Sequence, residues 1–249
     1  MALLKNLVFN TPVLRVNDRE KNIEFYQKAL GLKLVSEENA IAIFTSYGDG
    51  KERFIIEESP AFRTRAVNGK KKVNTITIKT RDTKGIEQLI TRQLARTVYQ
   101  GHKGYAIEVL SPEGDRFILH AEEDLKTLHE VDAPQFTQDP DFKGLNDFSF
   151  EQITLNVLDQ QACLTFYQKL FADQFPIALD FVPAQGPDLA IEPTMTWDLE
   201  ILELNVSQAT DLVAVKADFE AKGITVYLDK KERVLVVSDP NLIEIWLVK

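Results

Sequence analysis

Along the chain, short apolar runs alternate with stretches of helical periodicity, and the alternation keeps one order. Residues 9–16 read as a strand, with Pro12 marking an edge or a start. Asn17 and Asp18 are helix N-cap types, and Ile23, Tyr26, Gln27 and Leu30 follow at helical spacing. Gly31 fits the helix stop. Three short strands are predicted at 32–36, 40–46 and 53–58, with Gly48-Asp49-Gly50 turning between the last two. After a basic loop at 63–72, whose lysine-rich end Gly69-Lys70-Lys71-Lys72 is read as solvated, the order restarts. Residues 74–80 are a strand, and Asp82 opens a helix with Ile86, Leu89, Ile90 and Leu94 on one face. Strands near 95–99, 105–110 and 116–120 follow, the last two joined by the turn Ser111-Pro112-Glu113-Gly114.

The second half repeats the first. Phe25-Tyr26-Gln27-Lys28 returns as Phe166-Tyr167-Gln168-Lys169, and Leu14, Val16 and Asp18 map without a gap onto Leu155, Val157 and Asp159. Self-similarity at one ungapped offset reports a duplicated domain. Residues 150–157 are then a strand, 159–171 a helix and 175–182 a strand. The proline-rich stretch 183–194 holds one short strand near 189–192, so the third unit is reduced. The fourth is a strand at 199–206, a helix at 211–222 and strands at 225–228, 233–237 and 242–248. Two domains are expected, 1–121 (paired units 7–60 and 73–121) and 148–249. Between them, residues 122–147 form an acidic linker with a short helix at 124–129.

Charge and composition narrow the partners. A net charge of −9 disfavours nucleic acid and anionic membrane surfaces. No apolar run is long enough to span a bilayer. The single cysteine, Cys163, excludes an internal disulfide. With no signal-like start, the expected location is the cytoplasm, and an extracellular role would need non-classical release.

The residues Leu14-Arg15-Val16-Asn17-Asp18, Phe25-Tyr26 and Leu30-Gly31-Leu32, with the late turns Ser111-Pro112-Glu113-Gly114-Asp115 and Asp239-Pro240-Asn241, resemble the vicinal oxygen chelate superfamily. That superfamily includes glyoxalase I, extradiol dioxygenases and bleomycin-resistance proteins. The resemblance implies an α+β fold of four βαβββ-type units paired into two domains with curved mixed sheets. More narrowly, the chain is similar to the CppA family of streptococci. That likeness implies a proteinase degrading the third component of complement, with a host complement protein as partner.

In metal-dependent members of the superfamily each unit offers one ligand from its first strand and a Glu from its last. Registering the motifs puts Thr11, Thr75, Gln152 and Ile201 at the first positions, and Glu57 (or Glu58), Ile118 and Glu244 at the last. Isoleucine cannot ligate and threonine is a poor neutral ligand, so no metal or other cofactor is expected. Gln152 and Glu244 are the remnant metal positions; pairing of units one and four instead would bring Thr11 to Glu244.

Proteinase motifs are missing: there is no His-Glu-x-x-His and no Gly-x-Ser-x-Gly. Cys163 and His120 are the weak catalytic candidates, with His102 in a glycine-flanked loop and His129 in the linker. His120 lies two residues past Ile118, so alternation puts both on one face. Thr11, Glu57, Thr75, His120, Gln152 and Glu244 are ligand-binding candidates. Two readings stay open. One is a metal-free protein holding a small molecule or partner in the cup of a sheet, with Phe44, Phe54, Tyr105 and Phe117 as candidate lining. The other is an enzyme, either the complement-degrading proteinase or a metal-dependent lyase or dioxygenase. Monomer and homodimer are both compatible with the sequence.

Overall fold

Four aspartates set the units in place. In a computed structural model, which describes residues 4–249, Asp18, Asp82, Asp159 and Asp211 each stand just before a helix and accept a backbone N–H of its first turn. Each such cap stabilises its helix by about 1 kcal/mol. The helices are α1 (Arg19–Ala29), α2 (Thr83–Thr91), α3 (Gln160–Phe171) and α4 (Leu212–Ala221). Leu94, expected on the face of α2, lies beyond its end and is exposed.

Strands β1 (Val8–Val16), β2 (Lys33–Glu38), β3 (Ile41–Thr45) and β4 (Phe54–Glu58) make the first unit. The second has β5 (Val73–Lys79), β6 (Thr97–Gln100), β7 (Tyr105–Leu110) and β8 (Arg116–His120). The connection contributes β9 (His129–Val131). The third unit has β10 (Ser149–Val157) and β11 (Ala178–Pro183). The fourth has β12 (Leu199–Asn205), β13 (Tyr227–Leu228), β14 (Val234–Ser238) and β15 (Glu244–Val248).

Two curved mixed sheets result. One runs β13-β14-β15-β12-β1-β4-β3-β2 and the other β11-β10-β5-β8-β7-β6-β9. The sheets therefore join unit one to unit four and unit two to unit three. The expected pairing of neighbours within 1–121 and within 148–249 is corrected: β1 lies antiparallel to β12, and β5 to β10. The first three residues of the expected first domain lie outside those described.

Three further expectations change. Residues 189–192 are a turn rather than a strand. β11 runs parallel to β10, as β4 does to β1, so it is the last strand of its unit, and the two middle strands are the ones missing. Residues 122–147 are more than a linker: β9 extends the second sheet beside β6, and Leu145 donates its N–H to the Gly31 carbonyl at 2.9 Å. Gly31 and Gly144 permit this crossing, since a Cβ on Gly144 would sit 2.1 Å from the Gly31 carbonyl oxygen. The expected helix at 124–129 is one 3₁₀ turn, Leu125–Thr127.

The duplicated tyrosines hold each half together. Tyr167 on α3 donates to Asp239 at 3.1 Å, in the last turn of unit four. Tyr26 on α1 is fully buried against Phe44, Phe54 and Phe117, the last of these from unit two. Its hydroxyl faces the charges of Asp115 and Glu113 in the equivalent turn but makes no well-formed hydrogen bond. Phe44, Phe54 and Phe117 are thus core residues, not cup lining, and Tyr105 packs edge-on against Phe136.

The loop 69–72, expected to be solvated, is corrected as well. Lys72 is 1% exposed and donates its Nζ to the Ile191 carbonyl at 2.6 Å. Asp198 receives the backbone N–H groups of Lys72 and Val73, at 2.6 and 3.2 Å. Lys71 reaches the buried carboxylate of Asp115. Helical and strand periodicity could not report this, because the burial comes from unit four folding back over the loop.

Burial pushes the Asp239 carboxyl up to about 6, against 3.8 for the unperturbed group. A folded carboxyl above its unfolded value binds its proton more tightly in the native state, so its contribution is present at low pH and is lost as pH rises. Between about pH 4 and pH 6 this group alone should lower stability by about 3 kcal/mol. Denaturant titration across that range should show a slope in the native protein that Asp239→Asn flattens. Tyr167→Phe should cost about 1–3 kcal/mol, because it strips a hydrogen bond from a buried charge. Tyr26→Phe should cost less, and thermal melts of the two variants test the difference.

Candidate functional site

Each sheet turns one face toward the helices and the shared core and the other face outward. In β1, alternation sends Leu14 and Val16 to the core and Thr11, Val13 and Arg15 outward. Across the eight-stranded sheet, Val13 pairs with Ile201 and with Ile55, and Ile201 pairs with Glu244. Val13, Ile55 and Ile201 form their own apolar cluster, 5–7% exposed, with Ile41, Ile43 and Trp246 packed against it. Thr11 is fully buried, donating to the Pro12 carbonyl at 2.7 Å and accepting from the Ile55 N–H at 3.1 Å. Its hydroxyl is therefore used up by the backbone.

Beside this floor lies a buried ion pair. Arg15 Nη2 is 2.7 Å from both carboxylate oxygens of Glu200 and 3.7 Å from Glu57. Burial raises the Glu200 pKa, with Arg15 opposing the shift and Glu57 and Glu244 adding to it. Glu244 accepts the Trp246 indole N–H at 2.7 Å. Glu58 leaves this face and accepts the Arg19 N–H at the start of α1.

The outward face of the seven-stranded sheet is polar. Thr75 donates to Asn74 at 2.8 Å and accepts from Arg116 at 3.3 Å. Arg116 also binds Glu108, which receives the Tyr99 hydroxyl at 3.3 Å. Gln152 binds Asp180 of β11. His120 is fully buried, with Nε2 3.0 Å from a Glu151 carboxylate oxygen, and Nδ1 accepts the Glu122 N–H at 3.1 Å. That N–H fixes the tautomer, because a protonated Nδ1 could not receive it. Burial lowers the ring pKa, and Glu151 offsets this only in part.

The candidates therefore divide between two surfaces. Thr11, Glu57 and Glu244 share the eight-stranded sheet; Thr75, His120 and Gln152 share the seven-stranded one. Gln152 and Glu244 cannot form one remnant site, which corrects their grouping. The residues present do not fit a chelated metal: at the positions where the superfamily gathers ligands, the eight-stranded sheet offers the used hydroxyl of Thr11, the isoleucine Ile201 and two carboxylates, Glu57 and Glu244, of which Glu244 already accepts the Trp246 indole. Among the described residues, no three His, Cys, Asp or Glu side chains cluster in a way that could hold an ion.

The catalytic candidates are also separate. Cys163 is buried on α3 and accepts from Asn241 at 3.3 Å, and burial pushes its thiol up to about 11. His120 takes its contacts from Glu122 and Glu151 instead. A protonated thiol and a neutral imidazole without a shared hydrogen bond do not make a nucleophile and its base. His102 and His129 are exposed.

Arg15 and Glu200 were not singled out by sequence reasoning. Arg15 was within reach, because it continues the outward period Thr11, Val13, Arg15. Glu200 was not: a register shift between β1 and β12 at this point turns it outward beside Ile201.

Comparison with known proteins follows the same outline. Residues 9–131 match the model of the CppA N-terminal family and residues 145–247 that of the CppA C-terminal family. The crystal structure of the CppA protein from Streptococcus pneumoniae TIGR4 is 31% identical, covers 99% of both chains and has a TM-score of 0.85. Glyoxalase I from Zea mays is 14% identical, with 98% of this chain and 92% of that one covered and a TM-score of 0.59, a likeness of fold. No curated protein matches.

The thiol geometry has a direct check. A thiol-reactive dye should leave Cys163 unmodified in the folded protein at pH 8 and should titrate one thiol per chain after denaturation. By NMR, the His120 ring should stay neutral, in the Nε2–H form, as pH falls past the ordinary histidine range near 6.5.

Proposed function

The chain belongs to the CppA family, and within that family we propose that it works by holding a ligand or partner segment on the outward face of its eight-stranded sheet, without metal chemistry and without hydrolysis. The observation that carries the reading is the floor of that face. Ile201, at one of the ligand positions, packs with Val13 and Ile55 into an apolar cluster next to the buried Arg15–Glu200 pair and the Trp246 indole. An apolar floor with a few fixed polar groups is the composition of a binding site. It is a poor composition for activating water, which needs an open metal position or a base of suitable pKa.

The complement-degrading proteinase implied by family resemblance lacks mechanistic support among the described residues. Cys163 and His120 point into separate environments, and no other motif supplies a nucleophile. No helix in the described chain is long and apolar enough to cross a membrane.

Two measurements test the proposal together. Mass spectrometry on untagged protein should find well under one metal ion per chain. Purified third component of complement, incubated with the protein with and without chelator, should stay intact. Stoichiometric metal, or cleavage in either arm, would overturn the reading. Nile red, a neutral apolar probe, should bind and brighten, and the half-buried substitution Ile43→Lys should weaken that binding about tenfold, the scale of one lost apolar anchor.

A further inference from the structure

Charge on the outward face of the eight-stranded sheet is unbalanced. The four central strands of that sheet, β1, β4, β12 and β15, contain one cation, Arg15. Four carboxylates share the outward face with it: Glu57, Glu200, Glu203 and Glu244. Alternation puts three of them there, since Glu57 stands two residues from Ile55, Glu203 two from Ile201, and Glu244 two from Trp246. Glu200 takes Arg15, with Glu57 at 3.7 Å. The partners of the other two, among the described residues, are neutral. Asn10 Nδ2 donates to Glu203, and the Trp246 indole N–H donates to Glu244.

These two uncompensated carboxylates meet at one aromatic ring. Trp246 on β15 pairs with Glu203 on β12, and Glu244 precedes it by two residues on the same face. Ile201 pairs with Glu244 and Trp246 packs against the Val13–Ile55–Ile201 cluster, so the apolar floor adjoins both carboxylates. Like charges this close on a sheet repel one another. Glu200 registers the same excess, because Glu57 and Glu244 both add to the rise in its pKa. An aromatic ring flanked by carboxylates attracts a cation through the ring quadrupole and through charge. A bare metal ion does not fit, since no three ligating side chains cluster among the described residues. An anion does not fit either, because Arg15 is already taken by Glu200.

We propose that the ligand of this face is a small organic cation, an ammonium or quaternary ammonium group on an apolar body. Its charge lies against the Trp246 ring between Glu203 and Glu244, and its body lies on Val13, Ile55 and Ile201. The proposal rests on the reading that this face holds a ligand, and it adds the ligand's charge and orientation. Arg15 takes no part in binding the cation; it neutralises Glu200 and so leaves the excess negative charge at the Trp246 end.

Two probes of nearly equal shape and opposite charge, tetraphenylphosphonium and tetraphenylborate, test it by calorimetry on the full chain, with Nile red as the neutral reference. The phosphonium should bind at least about tenfold more tightly than the borate. The double variant Glu203→Gln/Glu244→Gln, whose amides can still accept from Asn10 and Trp246, should abolish that preference. Trp246→Leu should weaken the phosphonium more than the borate. Glu130→Gln, on β9 at the far edge of the other sheet, removes one negative charge away from the site and should leave the preference in place. Nile red binding with no preference between the charged probes would overturn the cation and leave the binding face standing. A preference that survives the double variant would also overturn it, as attraction to the net charge of the chain. Failure of all three probes to bind would overturn the binding face and the cation together.

Discussion

Everything in this molecule depends on the antiparallel pairing of first strands, β1 with β12 and β5 with β10. Each unit is a small curved sheet whose first strand would otherwise be an open edge, and the pairing closes two such edges at once. Because the partners come from opposite halves of the chain, neither half completes a sheet alone. The tandem neighbours are joined differently, by a helix tyrosine packed against the late turn of the next unit. Sheets run between halves and helix-to-turn contacts within them. The duplicated Phe-Tyr motif is therefore an assembly contact first and a family signature second.

The junction is fastened by buried charge. Asp198 caps the start of β5 with its carboxylate and takes the Arg15 N–H with its carbonyl, so one residue ties strands from units one, two and four. Burial raises its pKa, and Lys71 nearby opposes the shift. Burial lowers the pKa of Lys72, while Asp198 and Asp239 work to restore it. Buried ion pairs are poor sources of stability, since desolvation offsets much of their attraction. Their value here is registry: slipping one strand would leave several unpaired charges in the core.

The same economy explains the outward faces. The outward face of the eight-stranded sheet carries Val13, Ile55 and Ile201, with an arginine–glutamate pair alongside. Likeness of fold to other proteins says little about reaction, because chemistry depends on the side chains a site presents. The reduced third unit belongs to the same pattern. It lacks the two middle strands, keeps its last strand parallel to its first, and covers the Phe181 carbonyl of that strand with the Gln160 side chain.

By itself the sequence determined the units. Aspartate caps, helical spacing and turn residues are local signals, and they placed the helices and nearly all strands within a few residues. Repetition of Leu-x-Val-x-Asp and Phe-Tyr-Gln-Lys gave the duplication and the family, and side-chain type alone ruled Ile118 and Ile201 out as ligands. Tertiary structure decided what lay across the chain. Which units share a sheet, whether Lys72 meets water or Asp198, and whether Gln152 can meet Glu244 all depend on strands far apart in sequence. Those contacts are set by edges and faces that exist only after the units have formed, so local periodicity carries no record of them.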